Sequence, residues 1–403
     1  MYNQFLKLVF FFLEMQLAQT NPHLITGFKK YFFEFRIKIG LISYLFSRYK
    51  NPITFFKVIK GVAAFKSRFT IGQKIPKLAM VDGKVYLNCN VSGFPSQYFF
   101  NPMEIEARKS LKLTNTLLEQ QSMVQIALTK KCPLNCEHCF EADVLNQKEA
   151  LTVDDHIEIV AKLQASGVPM IQFGGGEPMN RLADLLTILK SAKKTSDFAI
   201  YTSGYKLNSE NARALKNAGL NSILLSIDHY IPEKHNVFRR NDKAFNWAKE
   251  AAKSAVENKL VLTFVICVTR EFCSHENLMN YMNFANENGA AFVQFLEPRS
   301  VGNYEGKDVM LRPFEQDLLD SFFIEVNTNK AYKHLPILIY PGYQQRNLGC
   351  VGAGSKYIYI DTDGYITACP FCRNKKTHIL DDRHEKAIAD LRQEGCEIVP
   401  KLA

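Results

Sequence analysis

Three cysteines within eight residues, Cys132, Cys136 and Cys139, stand at C-x3-C-x2-C spacing. Three thiolates this close can hold three irons of a [4Fe–4S] cluster, which normally takes four thiolates. The fourth iron is then left open, and an open metal position marks a site that binds a ligand rather than one that only holds the fold. A structural zinc site is the alternative, but no fourth ligand stands at zinc-finger spacing. The chain has ten cysteines in 403 residues, seven of them in two local groups. That is too few for a disulfide scaffold and points to metal ligation in a reducing compartment.

Four further motifs fall where strand-like runs end. Gly174-Gly175-Gly176-Glu177-Pro178 follows the second run, Thr202-Ser203-Gly204 the third, and Ser226-Ile227-Asp228 with His235 and Arg239 the fourth. Glu297-Pro298 with Gly302 follows the sixth. With the cysteine loop, this set resembles the radical SAM superfamily. The resemblance implies that S-adenosylmethionine (SAM) chelates the open iron. One electron from the cluster then cleaves the sulfonium, and the resulting 5′-deoxyadenosyl radical takes a hydrogen atom from substrate. It also implies SAM contacts for Gly175, Gly176, Glu177, Pro178, Thr202, Ser226, Asp228 and Arg239, with Glu177 at the amino group and Arg239 at the carboxylate. A guanidinium fork suits a carboxylate. His138 stands where that family usually has an aromatic ring near the adenine; it can stack there or cap the loop. The resemblance spans roughly residues 120–400.

A second sulfur group lies near the C-terminus. Cys350, thirteen residues, Gly364, four residues and Cys369 are followed by Cys372, and Cys396 lies further on. Tyr357–Ile360, Asp361–Gly364 and Tyr365–Ala368 read as strand, tight turn and strand. This resembles the start of a SPASM domain or the shorter Twitch domain, which hold auxiliary clusters. A full SPASM domain has more cysteines, so one auxiliary [4Fe–4S] cluster on Cys350, Cys369, Cys372 and Cys396 is expected. Zinc on the same four thiolates is the rival. Cys89, Cys267 and Cys273 read as small buried hydrophobes.

The elements that must carry these groups alternate. Strand-like runs at 124–128, 169–173, 198–202, 222–227, 260–268 and 291–296 interleave with helix-like runs near 153–165, 181–193, 209–218, 242–257, 275–288 and 313–328. Six β-then-α units imply a parallel sheet with right-handed crossovers, whose active groups gather at the carboxyl ends of the strands. The expected fold class is α/β. It comprises a partial (β/α)6 TIM-like barrel over 123–335, a connector with hairpin and helix over 71–122, N-terminal amphipathic helices over 1–70, and a small cysteine-rich β-hairpin domain over 336–403. A hairpin is expected across Lys77–Asn90 with Asp82-Gly83 at its turn, and a helix over 101–120.

With 47% apolar and 22% charged residues, the chain is no disordered tail, fibre or bundle of membrane spans. Its net charge of +10 is unevenly placed. Residues 1–70 hold eleven Lys/Arg against Glu14 and Glu34, a net of +9, while the rest hold 39 against 38. Phe28, Phe32, Phe35, Ile39, Ile42 and Phe46 recur every three to four residues, laying one stripe on a helix flanked by Lys29, Lys30, Arg36 and Lys38. Phe55, Val58, Val62 and Phe65 repeat the pattern beside Lys57, Lys60 and Lys66. Such helices can lie in a membrane interface, with rings in the acyl boundary and lysines on anionic headgroups, or pack on the protein body. No 20-residue apolar span appears, and Glu14 breaks the run that would otherwise look like a signal peptide. No nucleic-acid module is present.

The expected protein is therefore a SAM-dependent radical enzyme, cytoplasmic and peripheral on the inner face of the membrane. It would be fed by an electron donor such as flavodoxin or ferredoxin. Two substrate classes stay open, a lipid or isoprenoid and a peptide or small protein. A non-catalytic iron–sulfur or zinc protein is the reading from a different class, opposed by the intact SAM-binding set.

Overall fold

The structure, a computed structural model, describes residues 24–70, 77–96, 98–350 and 352–396. The signal-peptide reading of residues 1–20 and the side chains of Phe65 and Lys66 lie outside the described parts. At the N-terminus, strand β1 (Leu24–Thr26) leads into helices α1 (Gly27–Arg48) and α2 (Pro52–Thr70). Asn51 separates the helices as the sequence suggests. Its side chain accepts from the N–H groups of Ile53 and Thr54 at 3.0 and 3.1 Å, with Pro52 in the first helical position. Strands β2 (Lys77–Val81) and β3 (Lys84–Tyr86) form the expected hairpin. Asp82 and Gly83 both take positive φ (51° and 73°), the conformation a two-residue hairpin turn requires. β1 adds to this hairpin as a third, antiparallel strand.

The two faces of α1 differ sharply. Leu45 is fully buried against Val58, Val62 and Ala107, with Leu41 and Tyr44 beside it. The stripe read from the sequence points the other way: Phe28, Phe32, Phe35, Ile39, Ile42 and Phe46 are between 50% and 84% exposed. Ile53 and Phe56 extend the exposed apolar surface onto α2. No helix among the described residues is long and apolar enough to cross a membrane.

Helix α3 (Asn101–Ser110) is shorter than the expected run to residue 120. Lys112 turns to a φ of 57°, and Leu113 N–H reaches back to Arg108 O at 2.8 Å, which closes the helix end. Residues Leu118–Gln120 form a separate 3-10 turn.

Next come β4 (Met123–Thr129), α4 (Val153–Ala165), β5 (Met170–Gly175), α5 (Leu182–Ser191), β6 (Asp197–Thr202), α6 (Ser209–Ala218) and β7 (Leu220–Ser226). They are followed by α7 (Pro232–Arg239), α8 (Ala244–Glu257), β8 (Val261–Cys267), α9 (His275–Glu287), β9 (Phe292–Leu296) and α10 (Pro313–Thr328). The six strands pair in parallel in chain order, as the alternation implies. Their outer faces and the helices enclose the main apolar core. Helix starts follow local chemistry: Thr152 and Asp155 form a reciprocal capping box, and Asn208 and Ser274 cap α6 and α9.

The last elements are β10 (Ile337–Ile339), α11 (Pro341–Leu348), β11 (Tyr357–Ile360), β12 (Ile366–Thr367) and α12 (His384–Glu394). β11 and β12 form the expected antiparallel hairpin, but β11 also pairs in parallel with β4, and β10 with β9. The sheet therefore has nine strands, extended at both ends of the six-strand set. Lys77, 1% exposed, ties the N-terminal hairpin to this body. Its ammonium donates to the carbonyls of Val326, Tyr332, Leu335 and Pro336 at 2.8 to 3.4 Å.

Candidate active site

The cysteine loop leaves β4 and is clamped from two sides. From β5, Gly176 N–H donates to Thr129 O (2.7 Å) and Glu177 N–H to Lys131 O (2.8 Å). A Cβ on Gly175, whose φ is 106°, would lie 2.6 Å from Thr129 O, and one on Gly176 would overlap Lys131 O. Glycines are needed here so the two backbones can meet. From the loop after β9, Asn303 donates through its backbone to Cys139 O and through its side chain to Cys136 O, both at 2.9 Å.

The three thiols are held among Leu134, Ala244 and Trp247. Burial pushes Cys132 and Cys139 up to about 12 and raises Cys136 in spite of the neighbouring Arg239. Thiols raised in this way hold their protons at neutral pH, so metal binding must displace them.

All three thiols line a single cavity of about 1390 Å³ that runs from the carboxyl ends of the strands to the inner face of α1. His138, Gly175, Gly176, Glu177, Thr202, Ser226, Asp228, Arg239, Cys350, Cys369 and Cys396 line it too; Pro178 and Cys372 stand behind its wall. Glu177 is 1% exposed, and both its oxygens are engaged. Oε1 accepts from Thr202 Oγ1 (2.7 Å) and Met179 N–H (3.1 Å), Oε2 from the hydroxyl and N–H of Ser203 (2.6 and 2.8 Å). Burial pushes its pKa up against these four bonds. Thr202 thus acts on Glu177, and Ser203, which the sequence reading passed over, does so twice.

Arg239 places one guanidinium nitrogen 2.5 Å from Asp228 Oδ2 and another 3.5 Å from Cys136 Sγ. Burial is the strongest single influence and raises the Asp228 carboxyl, but Arg239, His138, His235 and the Cys267 N–H together hold it below its usual range. Asp228 is further fixed by Cys267 N–H on Oδ1 (3.0 Å), and its own N–H donates to His235 Nδ1 (3.1 Å). His235 is therefore a support for Asp228 and not a wall of the cavity. The His138 ring packs on Phe238 at 4.9 Å.

These residues fit a SAM-binding cluster. The loop offers three free thiols to the cavity. His138 Nδ1 and Arg239 Nε are buried there without a protein partner among the described residues. Among the described residues no three His, Cys, Asp or Glu side chains converge tightly enough for one metal ion.

The four C-terminal cysteines meet as well. Cys372 and Cys396 are 4.0 Å apart, Cys396 bonds to Cys350, and Cys369 bonds to Cys372. α11 ends two residues before Cys350 and is pinned by Arg346, which bonds Glu297 (2.6 Å), Asp320 (2.5 Å) and the Tyr340 hydroxyl (2.7 Å). Glu297, singled out in the sequence, is thus the buried anchor of the segment that carries Cys350.

Residues 126–280 match the radical SAM superfamily. The chain is 25% identical over 268 residues to a GTP 3′,8-cyclase of Limosilactobacillus fermentum, covering 61% of this chain and 78% of that one. It is 33% identical over 143 residues to the GTP 3′,8-cyclase of Chlorobaculum tepidum, covering 35% and 43%. In fold it is similar to Streptococcus suis SuiB bound to precursor peptide SuiA, with a TM-score of 0.55 and 15% identity over 84% of this chain and 76% of that one. The sequence match runs from inside β4 through the cysteine loop and on to α9, and the fold agrees. Residues 126–280 of this chain are thus a radical SAM domain, of the kind that works with a [4Fe–4S] cluster and SAM.

Proposed function

We propose that this enzyme abstracts a hydrogen atom from an amphiphilic substrate, a lipid or isoprenoid, taken up at an anionic membrane face. One observation carries this reading. α1 turns its aromatic stripe outward, while Lys30, Glu34, Ile37, Lys38 and Leu41 on its other side wall the mouth of the cavity. A helix that is apolar outside and lines the entrance inside is suited to seat the mouth on acyl chains. Arg36, Lys38, Arg48, Lys50, Lys57 and Lys60 are exposed around it, complementary to anionic headgroups.

Cys132, Cys136 and Cys139 would hold the SAM-binding cluster, and Cys350, Cys369, Cys372 and Cys396 an auxiliary one. When bound, the first cluster and SAM supply reductive cleavage of the sulfonium and a carbon radical able to take a hydrogen atom. The chain's own residues bind and orient. Gly175 and Gly176 let β5 close onto the cysteine loop, Arg239 offers a buried N–H beside Cys136, and the His138 ring offers a stacking face. Apolar walls keep water from a reactive intermediate. A small electron carrier such as flavodoxin or ferredoxin would supply the electron.

A second reading is a peptide substrate. It is supported by neutral amide side chains deep in the cavity and by the likeness to SuiB, which was solved with a precursor peptide.

Flotation on phosphatidylglycerol vesicles tests the first reading. The wild type and Cys136→Ala should float, with salt weakening both, and only Cys136→Ala should fail to release 5′-deoxyadenosine from SAM. The combined variant Phe32→Ser, Phe35→Ser, Ile39→Ser should stay unbound while still cleaving SAM. If that variant floats like the wild type, the docking face is elsewhere.

A further inference from the structure

Below the mouth, the inner faces of the strands carry neutral hydrogen-bonding groups where a barrel normally packs branched apolar side chains. Gln125 on β4 and Gln172 on β5 are direct partners across the strand pair. Gln294 on β9, Tyr201 on β6 and Tyr357 on β11 line the same cavity. Gln172 is 0% exposed, Gln294 4% and Gln125 9%. Buried amides of this kind must find partners.

They do so only in part. Tyr357 OH donates to Gln125 Oε1 at 2.8 Å, Tyr201 OH to Gln294 Oε1 at 3.4 Å, and Gln172 Nε2 to Asn90 Oδ1 at 3.0 Å. The amide N–H groups of Gln125 and Gln294 then have no acceptor among the described residues, and Gln172 Oε1 is buried without a donor. Gly174 keeps the space over Gln125 open, since a Cβ there would lie 3.0 Å from Gln125 Nε2.

The belt therefore presents the amide N–H groups of Gln125 and Gln294 and the oxygen of Gln172, all neutral. Four ion pairs involve charged groups of the cavity lining: Arg239 with Asp228, Arg299 with Glu297, Lys30 with Glu34, Lys356 with Glu106. Lys38 and Lys330 are exposed. A phosphate, which mainly accepts, would meet the bare Gln172 oxygen, and these two lysines of the lining are exposed rather than buried in the belt. A neutral amide edge, a carbonyl beside an N–H, can donate to the oxygen and accept from the amide N–H groups.

We propose that Gln125, Gln172 and Gln294 form a substrate subsite that grips a neutral amide edge, either an acyl or peptide amide or the lactam edge of a base. The proposal rests on the reading of this cavity as the reaction chamber, and it names the polar end of the substrate.

Calorimetric titration of the anaerobically reconstituted full chain tests it, with N-octanoyl glycinamide, guanosine and octyl phosphate as probes. One amide-bearing probe should bind, and which one does so identifies the source; octyl phosphate should not. Gln172→Leu and, separately, Gln294→Met should weaken that binding at least tenfold, the loss expected when a buried amide partner is removed. Both variants should melt at the wild-type temperature in circular dichroism, which shows that they are folded and keeps this result apart from the docking test. Octyl phosphate binding as tightly as the amides, neither amide probe binding, or an affinity unchanged in both variants would overturn the subsite.

Discussion

Phe140 and Phe371 meet edge to face, their ring centroids 5.8 Å apart at 75°. Phe140 directly follows Cys139, and Phe371 directly precedes Cys372, so one ring contact joins the two sulfur groups. Tyr359 packs on Phe140 from the side, 6.4 Å away, and its hydroxyl donates to Glu141 at 2.7 Å. Edge-to-face pairs contribute about 0.5–1.5 kcal/mol beyond buried area. A double-mutant cycle with Phe140→Leu and Phe371→Leu should give a coupling of about that size in urea unfolding. A coupling near zero would mean that the two loops are held independently.

The auxiliary centre can be counted. Reconstituted protein should carry about eight irons per chain, Cys350→Ala about four, and Cys396→Ala the same, because Cys396 bridges Cys350 and Cys372. Four irons with one zinc in the wild type would assign the C-terminal thiols to zinc instead.

Asp228 and Arg239 are both buried, and each neutralises the other. Asp228→Asn leaves an unpaired guanidinium and should destabilise by about 3–5 kcal/mol in chemical unfolding. Asp308→Asn removes the partner of Arg270 at an exposed pair and should leave the midpoint unmoved. Arg239→Lys keeps the charge but loses the fork, and should weaken SAM binding in equilibrium dialysis with little change in iron content.

His235 sets a pH limit. Its Nδ1 accepts from Asp228 N–H, so that nitrogen carries no proton, and burial with Arg239 nearby pushes its pKa down to about 3. The unfolded ring protonates near 6.5. Its stabilising contribution is therefore full above about pH 6.5 and is lost as pH falls toward 3, by up to about 1.4 kcal/mol per pH unit. Unfolding free energies measured from pH 7 to 5 should fall, and His235→Asn, whose side-chain oxygen can take the same N–H, should flatten the slope.

Much of this was written in local patterns. The cysteine loop, the glycine turn and the helices at 153–165, 209–218 and 313–328 all declare themselves, because caps and spacing act within a few residues. The unforeseen parts depend on distant partners. α7 is only eight residues long and largely polar, so no periodicity marks it, yet it delivers His235 and Arg239. Strand β10 is only three residues long and is defined by its pairing with β9; β11 is legible as a hairpin strand, but its pairing with β4 is not. The aromatic stripe was legible as a stripe, but which side of α1 meets the body was decided by α2 and α3. The glutamines inside the barrel gave no signal, since a polar residue in a strand normally reads as facing water.

The pairing of Tyr357 with Met123 reaches across more than half the chain. A strand near the end of the polypeptide completes the edge beside the strand that launches the first sulfur loop. During synthesis that loop emerges from the ribosome long before its neighbour exists. One flank of the opening strand stays bare until the last quarter of the protein is made. Iron delivered before β11 is in place would meet a half-walled pocket, so loading of the first sulfur group is best timed to follow the making of that strand.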